Sequence, residues 1–332
     1  MKIALFQLHA HEIEACASTG VPTDRIAQLL SLAEDHNADL AVFPEGFPFI
    51  TDSETAAPPS LDEVIATLHR IPPHSLAFIV GGYIMECGDQ RNASFLVHDG
   101  QVHAPYFKRV PWLDEPFKPG TALLRWSWSG HQVIPLICAD VCVPWNEPDG
   151  RAAQMLGEAA ALGVGPSCPI IVSTFGTDLR TPYWTEPLRA WARACNAPIL
   201  ISAIAGRSTA TFLEGSKRRH YGGGGSGTYW CEEGRDHVWP CTKDSKLAGM
   251  YLADTLEPES LTLPLPLPLH NRGCLCGCPL PARSSPRSLY LLFTGSLFGT
   301  FLVGGVLAYG AAMGAWLLSA TPKLLFPKPP SR

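Results

Sequence analysis

Three apolar stretches in this chain each end in a side chain able to take part in covalent chemistry. "AVFPEGF" delivers Glu45, "APYFKRV" delivers Lys108, and "VIPLICADVC" delivers Cys138. A free thiol is a modest nucleophile near neutral pH and gains power when a base removes its proton. A carboxylate can be that base, and a buried ammonium can stabilise the charge that develops on an attacked carbonyl or nitrile. Taken singly, each residue also has an ordinary reading. A cysteine on an apolar strand fills a core, a glutamate after proline is a loop acid, and a lysine after phenylalanine is a strand-edge charge. Only convergence in one place would make them a reaction centre.

Positioning them falls to strand-like and helix-like segments that alternate over residues 1–256. "KIALFQL" (2–8) and "ADLAVFPEG" (38–46) have the continuous apolar character of buried strands. Between them, "PTDRIAQLLSLAEDHN" (22–37) places Ile26, Leu29, Leu30 and Ala33 at helical spacing, with Asp24 near the cap. Strands follow over 75–85, 93–100 and 101–108, the last two joined by the tight turn expected of Asp99-Gly100. Next come the strand entering Cys138, a helix over 150–162, a strand over 169–174 and a helix over 184–195. Strands over 198–206 and 227–235 complete the series. This order predicts an α/β layered domain with both sheet faces partly covered.

Composition narrows the function classes. With 46% hydrophobic and 17% charged residues, the 332-residue chain can bury a sizeable core. A net charge of −5 without a long Lys/Arg run argues against nucleic-acid binding. The eleven cysteines are scattered, several inside strand-like runs, unlike a small disulfide-rich secreted scaffold. The apolar part of "MKIALFQLHA" is too short for a signal peptide and reads as a first strand, so a reduced, cytosolic domain is expected. His9, His11, His69, His74 and His131 form no pair at metal-ligand spacing, and no metal site is expected. The Gly222–Gly225 run lacks the Gly-Lys-Ser/Thr ending of a phosphate loop and reads as a loop.

The C-terminal part differs in kind. Residues 257–288 are a Pro-rich linker whose Leu-Pro alternation favours an extended polyproline II spacer. From Leu289 to Leu318 no residue is charged, longer than the ~20 residues that cross a bilayer. Tyr290 and Trp316 stand where interfacial anchors would. A single membrane-spanning helix over 289–318 is therefore expected, followed by a short polar tail, 319–332. Arg283 and Arg287 on one side balance Lys323 and Lys328 on the other, so charge does not choose an orientation. Gly295 with Gly299, and Gly310 with Gly314, could pack a second helix, which leaves a homo-oligomer open.

The signatures together resemble the nitrilase, or carbon–nitrogen hydrolase, superfamily over residues 1 to about 235. "VFPEGF" is similar to the family's glutamate motif, and "RNASFLVHDGQVHAPYFKRV" to its Asn-Ser strand, turn and lysine. "LDEPFKPG" resembles the segment bearing a second glutamate, here Glu115, and "ICADVCVP" the cysteine elbow with Asp140 two positions on. "GGGSGTYWCEEG" resembles a late Gly-Ser strand and turn. The resemblance implies an α-β-β-α sandwich with Glu45 as general base, Cys138 as nucleophile and Lys108 stabilising the tetrahedral intermediate. Glu115 would hold Lys108 or orient substrate, the N–H of Ala139 would complete an oxyanion site, and Asp140 would fix the turn. The implied reaction is attack on a small amide or nitrile through a thioester, with no metal or organic cofactor.

Some positions depart from the family pattern. Ala139 replaces an aromatic residue, Cys142 a frequent arginine, and Cys195 in "ARACNAP" an acid. These changes blur substrate class, and Cys142 beside Cys138 also admits an inhibitory disulfide. The expectation is a membrane-tethered amidase or nitrilase with its catalytic domain in the cytosol. The alternatives are a superfamily N-acyltransferase acting on a membrane-associated acceptor and a non-catalytic nitrilase-like scaffold.

Overall fold

The computed structural model describes residues 1–50, 57–112, 115–146, 150–175, 182–208, 220–223, 225–232, 235–240, 248–255 and 261–264. All fall in the first of two compact units, Met1–Leu269, the second being His270–Arg332. The expected span 289–318, the tail, and the linker beyond Pro264 lie outside the described residues. No helix among the described residues is long and apolar enough to cross a membrane.

Period-two alternation in a strand sends neighbouring side chains to opposite faces, and β1 (Lys2–His9) shows where each face goes. Ile3 and Leu5 join Leu40, Val42, Ile79 and the apolar residues of a second sheet in one buried cluster. Ala4, Phe6 and Leu8 join Ile26, Leu29, Leu30 and Ala33 of a helix in another. With apolar neighbours on both faces, β1 reads as a continuous hydrophobic run. That helix is α2 (Thr23–Asp35); α1 (Ala10–Thr19) and α3 (Leu61–Leu68) lie in the same layer. Neither α1 nor α3 is anticipated by the apolar periodicity. The start of α3 is set instead by a capping box, in which Ser60 accepts from the Glu63 N–H and Glu63 accepts from the Ser60 N–H.

The first sheet pairs β1 with β2 (Leu40–Val42), β2 with β4 (Ala77–Glu86), and β4 with β5 (Asp89–His98). β3 (Pro48–Phe49) pairs with β4, while β6 (Gln101–Val102) and β7 (Tyr106–Phe107) pair with β5. The turn between β5 and β6 has Asp99 and Gly100 at φ 50° and 68°, the left-handed pair that Asp-Gly favours. The second sheet begins with β8 (Trp126–Trp128), β9 (His131–Ile137) and β10 (Ile170–Ser173). Helices α4 (Ala139–Asn146), α5 (Arg151–Ala161) and α6 (Pro182–Cys195) pack on this sheet through Val141, Met155, Ala159, Leu188 and Trp191. It continues through β11 (Ile199–Ser202). β12 (Ile204–Ser208) and β13 (His220–Gly223) extend the first sheet, so part of the glycine run expected as a loop is a paired strand. β14 (Gly227–Glu232) and β15 (Arg235–Pro240) complete the second.

The layers are thus helix, sheet, sheet, helix, the sandwich expected. Two serines stitch the sheets together. Ser173 donates to the Phe43 carbonyl at 2.9 Å and Ser202 to the Phe6 carbonyl at 2.7 Å. Both hydroxyls are buried, so each such bond satisfies a donor and an acceptor that would otherwise be left without water.

Two segment readings change. The strand expected over 38–46 ends at Val42, and Glu45 stands in the turn beyond it. The Leu-Pro stretch is not wholly an extended spacer: β17 (Leu261–Pro264) pairs antiparallel with β16 (Gly249–Asp254). β16 itself lies against β1. Among the described residues β17 pairs only with β16, and an edge strand tolerates a proline, which has no N–H to donate.

Candidate active site

Cys138 occupies the single residue between β9 and α4, at φ 45°. A non-glycine residue in the left-handed region is disfavoured, and such strain collects where structure holds a side chain for a purpose. Here the Cys138 N–H donates to the Ser173 carbonyl at 3.0 Å, which ties the elbow to the neighbouring strand. The thiol is hydrogen-bonded by the Thr174 side chain. Burial and then the nearby Glu45 carboxylate push the thiol well above its ordinary value, with Lys108 opposing them. The residue as a whole is 8% exposed.

Glu45 and Lys108 converge on the same place from the first sheet. Lys108 follows β7, and its N–H continues the strand pairing by donating to the Asn92 carbonyl at 2.8 Å. Its Nζ donates to Glu45 Oε1 at 2.9 Å and to Glu115 Oε1 and Oε2 at 3.0 and 2.7 Å. Burial opposes the charge on this ammonium, but Glu115 and Glu45 outweigh it and hold Lys108 well above its ordinary value. The Lys108 Nζ also lies 5.5 Å from the centre of the Phe117 ring.

The carboxylates are held in turn. Asn92, on β5, donates through Nδ2 to Glu45 at 2.9 Å and to Glu115 at 3.3 Å. Glu45 Oε2 accepts the Phe175 N–H at 2.8 Å, and Glu115 Oε2 accepts the Trp112 N–H at 2.8 Å. Tyr83, on β4, donates its hydroxyl to Glu115; burial and then Glu115 raise this phenol well above its ordinary value. Glu115 therefore binds Lys108 through both of its carboxylate oxygens.

Asp140 and Ala139 begin α4. Ala139 is fully buried at its first position. Asp140 Oδ2 accepts the Tyr106 hydroxyl and the Ile137 N–H, while Oδ1 accepts the N–H groups of Arg109 and Val110. Burial pushes its carboxyl up to about 6 against those hydrogen bonds. Asp140 does more than fix its own turn, since it binds the main chain directly after Lys108 to the elbow of Cys138.

All six candidates therefore lie in one neighbourhood, four on turns and loops that follow strands of the two sheets and Ala139 and Asp140 at the start of α4. Tyr83, Asn92, Tyr106, Thr174 and the Phe175 N–H join them without having been singled out as site residues. Asn92 sits in a quoted signature, but Tyr83 is one more aromatic in an apolar strand. Cys142 is buried, hydrogen-bonded with Tyr183 and pushed up to about 12 mainly by burial. Cys138, Cys142 and Cys195 are all free thiols. Among the described residues no grouping of His, Cys, Asp and Glu suits a metal ion.

Neither a protein-family model nor a curated protein matches the sequence. Solved structures do match. An amidase from Nesterenkonia sp. aligns with 23% identity over 80% of this chain and 90% of its own, at a TM-score of 0.56. A cysteine-to-serine variant of the Nesterenkonia AN1 amidase, from the nitrilase superfamily, aligns with 23% identity over 80% and 92%, at 0.54. A third, a variant in complex with butyramide, aligns with 21% identity over 80% and 91%, at 0.55. This is the fold of the nitrilase-superfamily amidases. Within that nitrilase-type fold, the cluster of Glu45, Lys108 and Glu115 meets the Cys138 elbow where strands of the two sheets end.

Proposed function

We propose that this chain is a cysteine-dependent carbon–nitrogen hydrolase of the amidase type, acting on a small linear amide or nitrile. One observation carries the reading: Lys108 Nζ lies 2.9 Å from Glu45 and 2.7 Å from Glu115 in a buried cluster. The charges of Lys108 and Glu45 both act on the Cys138 thiol. A core cysteine has no use for two buried carboxylates and an ammonium beside it, and ionisable groups gathered in this way around a nucleophile are characteristic of functional sites. Among the similar amidase structures, one holds butyramide and another carries acrylamide added at its active-site cysteine, which supports a small amide here.

In this reading a nitrile first gives a thioimidate and adds one water to reach the tetrahedral intermediate, which an amide reaches directly. For the amide, Glu45 takes the thiol proton as the Cys138 sulfur attacks the substrate carbon, and negative charge moves to the substrate oxygen. Lys108 and the Ala139 N–H stabilise that oxyanion. The ammonium has three donors, and in the resting cluster all have carboxylate partners. Protonation of Glu45 weakens its hold on Nζ and so releases a donor at the moment charge develops. Glu45 then gives the proton to the leaving nitrogen, ammonia or an amine departs, and a water deprotonated by Glu45 hydrolyses the thioester.

Ammonia release from a panel of short aliphatic amides and nitriles tests the proposal. Cys138→Ala should abolish release while the circular dichroism spectrum stays unchanged. Release that persists in Cys138→Ala, or none from any compound, would overturn it. The uncharged stretch 289–318 is proposed as a single membrane span, supported by its length alone. Extraction of the chain from membranes by alkaline carbonate would count against that tether.

A further inference from the structure

We propose that Thr174 is a further catalytic residue of this site: its hydroxyl donates to the Cys138 sulfur, leaves the thiol proton for Glu45 and stabilises the charge that forms as that proton moves. The role in turnover rests on the hydrolase reading, but the contact belongs to the resting site. Thr174 is the first residue beyond β10, is fully buried, and donates its N–H to the Ser202 carbonyl at 2.9 Å. Its side chain is hydrogen-bonded with the Cys138 thiol, and this bond favours ionisation while burial and Glu45 oppose it. A bond that favours the thiolate has the hydroxyl as donor and the sulfur as acceptor.

The residues on either side complete the arrangement. The Ser173 carbonyl accepts the Cys138 N–H at 3.0 Å, and the Phe175 N–H donates to Glu45 Oε2 at 2.8 Å. Three consecutive residues at the end of one strand therefore hold the main chain of the nucleophile, its sulfur and the base. The same bonds pick the oxygen that receives the proton. Glu45 Oε1 accepts two donors, Lys108 Nζ and Asn92 Nδ2, each at 2.9 Å. Among the described residues Oε2 accepts only the Phe175 N–H, so it keeps a lone pair. In the reaction the sulfur–hydrogen bond breaks, the proton passes to Oε2, and the freed electron pair on sulfur forms the bond to the substrate carbon. Thr174 keeps its own proton throughout. Lys108, Cys142 and Tyr83 are also coupled to the sulfur by charge, and all three remain in a Thr174 variant.

Thr174→Val keeps the branched shape and removes the hydroxyl, Thr174→Ala removes the methyl as well, and Thr174→Ser keeps the hydroxyl. Iodoacetamide reads the sulfur without any amide turnover: a sulfur–carbon bond forms as the carbon–iodine bond breaks, iodide leaves with the bonding pair, and the thiol proton passes to Glu45 or solvent. Cys87, an exposed free thiol on the same chain, supplies an internal reference. With the full chain at neutral pH, mass mapping should show labelling of Cys138 relative to Cys87 slowed about tenfold or more in the Val and Ala variants, the effect of one hydrogen bond to a charged group. Thr174→Ser should restore most of that rate, and the Val variant's rate–pH curve should lie on the alkaline side of the wild type's. In turnover of butyramide, kcat should fall with KM little changed, because the hydroxyl touches sulfur rather than substrate. Unchanged labelling in the Val or Ala variant, a Ser variant as slow as Val, or no labelling of Cys138 in the wild type would each overturn the assignment. Loss of the folded state in both Val and Ala variants would make the hydroxyl structural and overturn it too. Hydroxyl-dependent labelling in a chain that hydrolyses no amide would sink the hydrolase reading alone; amide turnover that Thr174→Val leaves intact would sink this assignment alone.

Discussion

Asp140 accepts the main-chain N–H of Arg109 at 2.9 Å, and through that bond the turn carrying Cys138 grips the chain directly after Lys108. The same oxygen takes the Val110 N–H at 2.8 Å, and the other takes the Tyr106 hydroxyl at 2.8 Å and the Ile137 N–H at 3.0 Å. Each carboxylate oxygen therefore faces two donors. The distance between sulfur and ammonium is thus governed by a residue that belongs to neither group.

Asp140→Asn puts an NH2 group where two of those donors point. The expected loss is about 3 kcal/mol, as for a buried charged acceptor removed from its partners. For a domain of this size that lowers Tm by roughly 6–12 °C. Amide turnover should fall at least tenfold at temperatures where the variant remains folded. Thermal melts and ammonia release check both, and an unshifted Tm would mean that the four bonds do not restrain the fold.

Lys108→Met leaves Glu45 and Glu115 facing each other without their shared cation. Breaking a buried pair in this way costs about 3–5 kcal/mol, and loss of an oxyanion donor lowers kcat by about 10²–10³-fold. Adding Glu115→Gln to Lys108→Met should restore part of the stability in urea unfolding and none of the turnover. Recovery of both together would contradict separate roles for the charge balance and the donor.

Gly82 lies at φ 154°, and a Cβ there would come within 1.9 Å of the Phe49 carbonyl oxygen. That close approach lets β3 run beside β4, and β3 begins only three residues beyond Glu45. Gly82→Ala should cost about 3 kcal/mol, the upper end of ordinary overpacking, and depress turnover by shifting Glu45. Gly88, at φ 84° with nothing within 4 Å, is the control. Its alanine variant should cost about 1–2 kcal/mol of backbone strain and leave turnover intact. Urea midpoints and ammonia release distinguish the two.

Stability should decline at alkaline pH. Burial, the largest cause in each case, pushes the Cys16 and Cys142 thiols from 9.0 up to about 12. The folded chain therefore holds these protons more tightly than the unfolded chain does. The associated stability is complete below pH 9 and is lost as pH rises toward 12, at about 1.4 kcal/mol per pH unit for each thiol. Urea midpoints between pH 8 and 10.5 should trace this slope, and Cys142→Ala should flatten it by about one thiol's share. A midpoint independent of pH across that range would contradict the burial of both.

Legibility follows from how local each signal is. α2 is readable because Ile26, Leu29, Leu30 and Ala33 repeat at helical spacing and all four reach the core. α3 escapes because its eight residues bury only Val64, Thr67 and Leu68, too few to show a period. β17 escapes because it ends on Pro264 in a Leu-Pro run that argues against a strand, and pairing with β16 makes a strand of it. Tyr83 resembles any aromatic of an apolar strand until its hydroxyl is seen to reach Glu115.

The order of residues alone determined the alternation of helices and strands and marked Glu45, Lys108, Glu115 and Cys138 as groups with chemical capacity. Those properties depend on side-chain type and on periods of a few residues, which are written along the chain. Tertiary structure decided that the groups meet, because β2 and β7 belong to one sheet and β9 to the other. Only the stacking of the two sheets brings their loop ends together. Burial, which keeps two carboxylates around one ammonium away from water and leaves the thiol protonated, is likewise a product of packing that no spacing of residues expresses.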